Sequence, residues 1–124
     1  MLTDICLPEL ANQRYQTTGL DSYEHCIDKQ FFLSFPYQVS YCYNSRGFRD
    51  REWPEDLSEA VWCVGDSFTV GLGLPFELTW PQLLYRNLDQ LVITIAMDGA
   101  SNQWISRRAL DIKRAVKPKN MIIM

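Results

Sequence analysis

Three short apolar runs, residues 60–64, 91–96 and 121–124, alternate with segments of helical periodicity, and this order leaves few folds open. The second run, Leu-Val-Ile-Thr-Ile-Ala, is continuous, rich in β-branched residues and closed by Asp98-Gly99, the pattern of a strand buried on both faces. A helix is expected around Trp80 to Leu88. A second begins at Ser101 or Asn102, either of which can cap it, and places Ile105, Ala109, Ile112 and Val116 opposite Arg107, Arg108 and Arg114. Pro118 ends that helix. The order β-α-β-α-β predicts an α/β domain with a parallel sheet joined by right-handed crossovers.

The front of the chain has a different rhythm. Residues 1–20 show no sustained period and read as an irregular lead-in. Tyr23, Cys26, Ile27, Gln30 and Phe31 fall at helical spacing behind Ser22, so a short helix is expected before Pro36. Residues 38–43 alternate, with Val39, Tyr41 and Tyr43 on one face of a strand. A turn-rich segment, Asn44-Ser-Arg-Gly-Phe-Arg49, leads into a charged loop carrying Asp50, Arg51, Glu52 and Glu55. These features divide the chain into an N-terminal helix-and-strand extension, with its boundary at residues 1–37, and an α/β unit over 38–124. The third apolar run stops without a polar tail, which reads as a domain whose C-terminal part is absent.

Several function classes are excluded or disfavoured by composition. A net charge of −3 over 124 residues leaves no basic footprint for nucleic acid. No apolar run approaches the ~18 residues of a membrane span. The N-terminus lacks the basic and apolar regions of an export signal, so a cytoplasmic protein is expected, without membrane partners. The four cysteines form no Cys-x-x-Cys pair and one histidine, His25, accompanies them, so no metal site is expected. Cys63 lies within an apolar run, where a reduced thiol behaves as a small hydrophobe, and reduced cysteines are favoured over disulfides. No cofactor motif is complete. Gly71 and Gly73 are followed by no P-loop lysine, and Pro75 and Phe76 break a dinucleotide fingerprint.

The stretch Gly65-Asp66-Ser67 at the end of the first run therefore carries most of the functional question. A serine at a strand's carboxyl end, on the threshold of a helix, has free backbone amides around it that can hold an oxyanion. Asp66 can brace the turn by accepting backbone N–H groups, but it is badly placed to act as base for its neighbour. A plain Asp-Ser turn explains the same three residues equally well. In a parallel sheet Gly99 ends the adjacent strand on the same edge, and its N–H can approach a ligand unobstructed. A helix-entry turn with Asn102 as cap is the simpler account of Asp98-Gly-Ala-Ser-Asn102. Arg46, Arg49 and Arg51 either line an entrance for anionic groups or belong to a solvated loop, and the solvated loop is the simpler reading.

Gly65-Asp66-Ser67-Phe68-Thr69-Val70-Gly71, with Gly99 after the next strand, resembles the SGNH/GDSL hydrolase family over residues 38–124. The segment Asn44 to Arg49 looks like an N-terminal extension of some members. The resemblance implies a flavodoxin-like, three-layer α/β/α fold, incomplete here, with the three strands in the order 2-1-3. It also implies a serine esterase that forms an acyl-serine intermediate on a small-molecule ester, with Ser67 as nucleophile and Gly99 in the oxyanion hole. Asp66 joins them at the catalytic turn, and Asn102 and Arg49 are candidates for substrate contact. The family completes its site with an asparagine after the third strand and a histidine from an Asp-x-x-His block. Neither is present in these 124 residues. His25 matches no family block and reads as a surface or packing histidine, so the chain is expected to be inactive by itself. The alternative is a non-catalytic binding or interaction domain of the same fold, with self-association through an exposed sheet edge.

Overall fold

A computed structural model describes residues 2–18 and 38–124. The helix expected after Ser22 and the lone histidine, His25, lie outside the described residues. The described chain is a mixed α/β structure with two separate sheets.

Strands β1 (Arg14–Thr18) and β2 (Gln38–Cys42) form an antiparallel pair in which Arg14 faces Cys42 and Thr18 faces Gln38. The strand β2 buries Val39 and Tyr41 on one face, joined by Tyr43 beyond its end, as the alternation predicts. The strand β1 corrects the expectation of an irregular lead-in. Its residues Arg14 to Thr17 are exposed, so no burial pattern marks it. It exists because a partner strand accepts its ladder, with Tyr15 stacked on Tyr41 at 4.8 Å between ring centroids. The lead-in also supplies core: Ile5 and Leu7 are buried in the same cluster as Trp62 and Ile95.

The second sheet is parallel and three-stranded. It contains β3 (Val61–Gly65), β4 (Val92–Ala96) and β5 (Asn120–Ile123) in the order β4-β3-β5. The first strand in sequence is central, flanked by the second and the third, which is the 2-1-3 order. All five residues of both β3 and β4 are buried, which accounts for their unbroken apolar runs. A one-turn helix, α1 (Ser67–Val70), follows β3 directly. The helix α2 (Trp80–Leu88) covers the sheet face of Val61, Cys63 and Val92 with Trp80, Leu84 and Tyr85. The helix α3 (Asn102–Val116) covers the opposite face, where Ile105 and Ile112 meet Trp62, Val64, Ile93 and Ile95. Helices on both faces leave the carboxyl edge of the sheet as the open crevice of this unit.

Ser101 caps α3, accepting the Trp104 N–H at 3.2 Å, and Lys117 closes it in the left-handed conformation ahead of Pro118. Among the described residues, no helix is long and apolar enough to cross a membrane. Cys6, Cys42 and Cys63 are free thiols, and burial pushes the Cys63 thiol up to about 12, assisted by the nearby Asp50 charge.

Candidate active site

The register of the parallel pair decides what meets at the open edge. Gly65, the last residue of β3, stands beside Ala96, the last of β4, and the Met97 N–H reaches back to the Gly65 carbonyl at 3.3 Å. Both chains then turn at the same level. Asp66-Ser67 leaves one strand and Asp98-Gly99 leaves the other, on one edge of the sheet.

Asp66 is the N-cap of α1. Its carboxylate accepts the Phe68 N–H at 3.0 Å, and its carbonyl accepts from Thr69 and Val70, each at 3.0 Å. It braces the turn and directs no oxygen at the Ser67 hydroxyl. Gly65 is required by close approach: a Cβ there would stand 2.0 Å from the Thr69 hydroxyl and 2.8 Å from the Met124 carbonyl. Gly71 ends α1 at φ 75°, with its N–H on the Ser67 carbonyl at 2.9 Å. The turn is thereby tied at both ends, and Ser67 is half-buried between them.

Ser67 opens into a hollow of about 200 Å³, shared with Phe68, Gly71, Leu72, Leu74 and Asp98. No described group bonds its hydroxyl, and the backbone N–H groups of Ser67 and Gly99 have no protein partner among the described residues. Gly99 has φ 71°, and a Cβ on it would meet nothing within 4 Å, so the space on its side-chain side is open. A hydroxyl and two unspent N–H groups on one sheet edge are the elements of acyl transfer through an oxyanion. Asn102 does not line this hollow. It is exposed in the first turn of α3, and the capping role belongs to Ser101.

Arg49 departs from the expected solvated loop and from a place at an entrance. It is 3% exposed, both terminal nitrogens of its guanidinium donate to backbone carbonyls, and its buried Nε has no partner among the described residues. Nη1 donates to Val70 at 3.1 Å and Gly71 at 2.8 Å, and Nη2 to Ser40 at 3.1 Å and Leu74 at 2.8 Å. Burial lowers its affinity for the proton from the ordinary guanidinium value, while the surrounding tyrosines and Glu77 oppose that shift. Arg51 is also engaged, bonding Gln82 and lying over the Tyr85 ring at 4.5 Å.

Three residues near the edge escaped sequence reasoning. Asp98 closes a strand and opens the helix-entry turn in the sequence, with no site role expected, yet it shares the Ser67 hollow. Phe68, 79% exposed beside the serine, supplies an apolar flank with Leu72 and Leu74. Asp50 looks like a loop acid but is buried. It accepts the Thr94 N–H of β4 at 2.8 Å, the Arg51 N–H at 2.9 Å and the Trp53 indole N–H at 3.2 Å. Only adjacency to Gly99 could have flagged Asp98, and nothing local flags the other two. No protein-family model, no curated protein and no solved structure matches this chain.

Proposed function

We propose that this chain carries the nucleophile half of a serine ester hydrolase of the SGNH/GDSL kind, on a flavodoxin-like sheet. Ser67 attacks an ester carbonyl, and the N–H groups of Ser67 and Gly99 receive the oxyanion. The observation that carries this reading is the pairing of Gly65 with Ala96, which brings the serine turn and the Gly99 turn to one edge beside a shared hollow. The apolar flanks Phe68, Leu72 and Leu74 suit an ester with a small apolar group. A cytoplasmic setting is in keeping with the free thiols of Cys6, Cys42 and Cys63.

No histidine is among the described residues, and a positioned base typically supplies ~10²–10⁴-fold. Hydrolysis of p-nitrophenyl acetate by this chain is therefore expected barely above background. Acylation and deacylation both need the base, so a slow first turnover should leave acetyl on Ser67, visible by peptide mapping. Ser67→Ala should remove that adduct and the residual rate together. Brisk turnover that survives Ser67→Ala would move the chemistry elsewhere. Brisk turnover that depends on Ser67 would make His25→Ala the next measurement.

One observation favours the second reading, an interaction domain. The strand β5 is paired on one side only among the described residues, and Ile122, Ile123 and Met124 are exposed along it. An apolar edge of this kind invites another strand. Sedimentation velocity should show concentration-dependent oligomers, and a clean monomer at high concentration would argue against that reading.

A further inference from the structure

The loop from Val70 to Leu74 forms one wall of the Ser67 hollow, and its own backbone bonds, from Gly71 and Leu72 to the Ser67 carbonyl and from Leu74 to the Gly71 carbonyl, are supplemented by side chains from earlier in the chain. Gly71 and Gly73 take φ of 75° and 81°, so the loop backbone is shaped by conformations that few residues adopt. Within the loop the Leu74 N–H reaches the Gly71 carbonyl at 3.1 Å, while the carbonyls of Val70 and Leu74, past the end of a single-turn helix, take donors from outside it. Two side chains from outside the parallel sheet, on β2 and in the segment after it, supply further donors and an acceptor. Arg49 binds the carbonyls of Val70, Gly71 and Leu74, and the Tyr41 hydroxyl accepts the Gly73 N–H at 2.7 Å. The two side chains are coupled, because the guanidinium lies 4.3 Å over the Tyr41 ring and also holds the Ser40 carbonyl of β2.

We propose that Arg49 and Tyr41 are positioning residues for Ser67: the β1–β2 sheet sets the wall of the nucleophile's hollow through them. Arginine suits this task for a geometric reason. Its planar fork fixes several donors in set directions at once, whereas a lysine ammonium is a single swivelling point. A buried cation held by neutral carbonyls is a weak source of net stability, and its stronger consequence is a single loop conformation. The Gly71 and Leu72 N–H groups both reach the Ser67 carbonyl, at 2.9 and 3.3 Å, so a displacement of the loop is felt at the serine itself. The catalytic meaning of this arrangement rests on the hydrolase reading; the placement of the loop does not.

Tyr41→Phe is the cleanest probe, since it keeps the ring under Arg49 and deletes the hydroxyl that holds Gly73. Arg49→Lys keeps the charge and deletes the fork. The readout at the serine is made independent of hydrolysis by working in a Ser67→Cys background. The rate of iodoacetamide alkylation at position 67 is followed by peptide mapping, which separates it from the native thiols. Amide hydrogen exchange is measured in parallel. Tyr41→Phe is expected to speed exchange of the Gly73 amide by about 5-fold, the worth of one lost hydrogen bond, and to raise alkylation at position 67 by a similar factor. Exchange at Ile93 and Ile95, in the core of β4, should stay unchanged. Arg49→Lys should move the same two readouts further. A loop that loosens while alkylation at position 67 stays constant would overturn the proposal. So would acceleration of β4 exchange in step with the loop, which marks a purely structural role. Absence of any acetyl-Ser67 adduct in the unmodified chain would sink the hydrolase reading, and the alkylation comparison would still decide the positioning role.

Discussion

Gly65→Ala is expected to cost about 3 kcal/mol of stability, near the upper end for overpacking a filled site. The added Cβ would stand 2.0 Å from the Thr69 hydroxyl, 2.7 Å from the Thr69 Cβ and 2.8 Å from the Met124 carbonyl. None of these can retreat easily. Thr69 is 1% exposed and its hydroxyl accepts the Trp80 indole N–H at 3.3 Å, while Met124 is tied to Val64 by its own N–H at 3.0 Å. Relief therefore has to come from the backbone between Gly65 and Ser67, where it disturbs the serine turn as well as the fold. Urea unfolding should show the loss. Thr69→Ala, which removes the nearest atom but keeps the Cβ, should recover part of it in the double variant. Additive costs for the two substitutions would contradict the contact geometry.

Asp50 should make this protein lose stability with rising pH over a range where most proteins gain it. Burial raises its carboxyl from 3.8 to about 6, against the opposing hydrogen bonds from Thr94, Arg51 and Trp53 and the Arg51 charge. The folded chain thus holds the proton more tightly than the unfolded chain. Its contribution is fully present below the unfolded value and is lost as pH rises through the folded one. The gap corresponds to about 3 kcal/mol between roughly pH 4 and pH 6. Glu52 and Asp56, held below their ordinary values by Ser45 and Ser58, tilt the other way, but both are exposed and weakly coupled to folding. Asp50→Asn isolates the effect. It carries no charge at any pH and lacks one of the acceptor oxygens, so it should be less stable overall but flat across the window. Parallel urea midpoints for the two proteins from pH 4 to 7 should converge as pH rises. Parallel curves would mean that Asp50 titrates normally.

Asp50 also has an architectural role that its neighbours in sequence conceal. Among the described residues β4 pairs only with β3, and the Asp50 carboxylate accepts the Thr94 N–H on its outer edge. Around it, Phe48 stacks on Trp53 at 5.7 Å, and Trp53 meets Trp62 edge-on at 5.9 Å, so the segment after β2 is anchored in the core.

Much of the parallel sheet was legible in the residues themselves. The runs at Val61–Gly65 and Val92–Ala96 are apolar because both faces are covered, and the helices Trp80–Leu88 and Asn102–Val116 bury one stripe each. Burial of this kind writes a period into the sequence, and the period can be read. Ser67 and Gly99 could be singled out for the same reason, since each lies within three residues of the end of a strand whose end is marked. What lacked a local signature was decided by the tertiary structure. The strand β1 is exposed from Arg14 to Thr17, and its ladder with β2 makes it a strand. Arg49 and Asp50 sit in a run of charges that looks solvated. Each is buried because partners distant in sequence converge on it: carbonyls of residues 40, 70, 71 and 74 on the guanidinium, and the Thr94 N–H on the carboxylate. Apolar burial follows from a residue's own side chain and its spacing, whereas burial of a charge depends on which backbone groups the folded chain leaves without partners, and those exist only once the strands have packed.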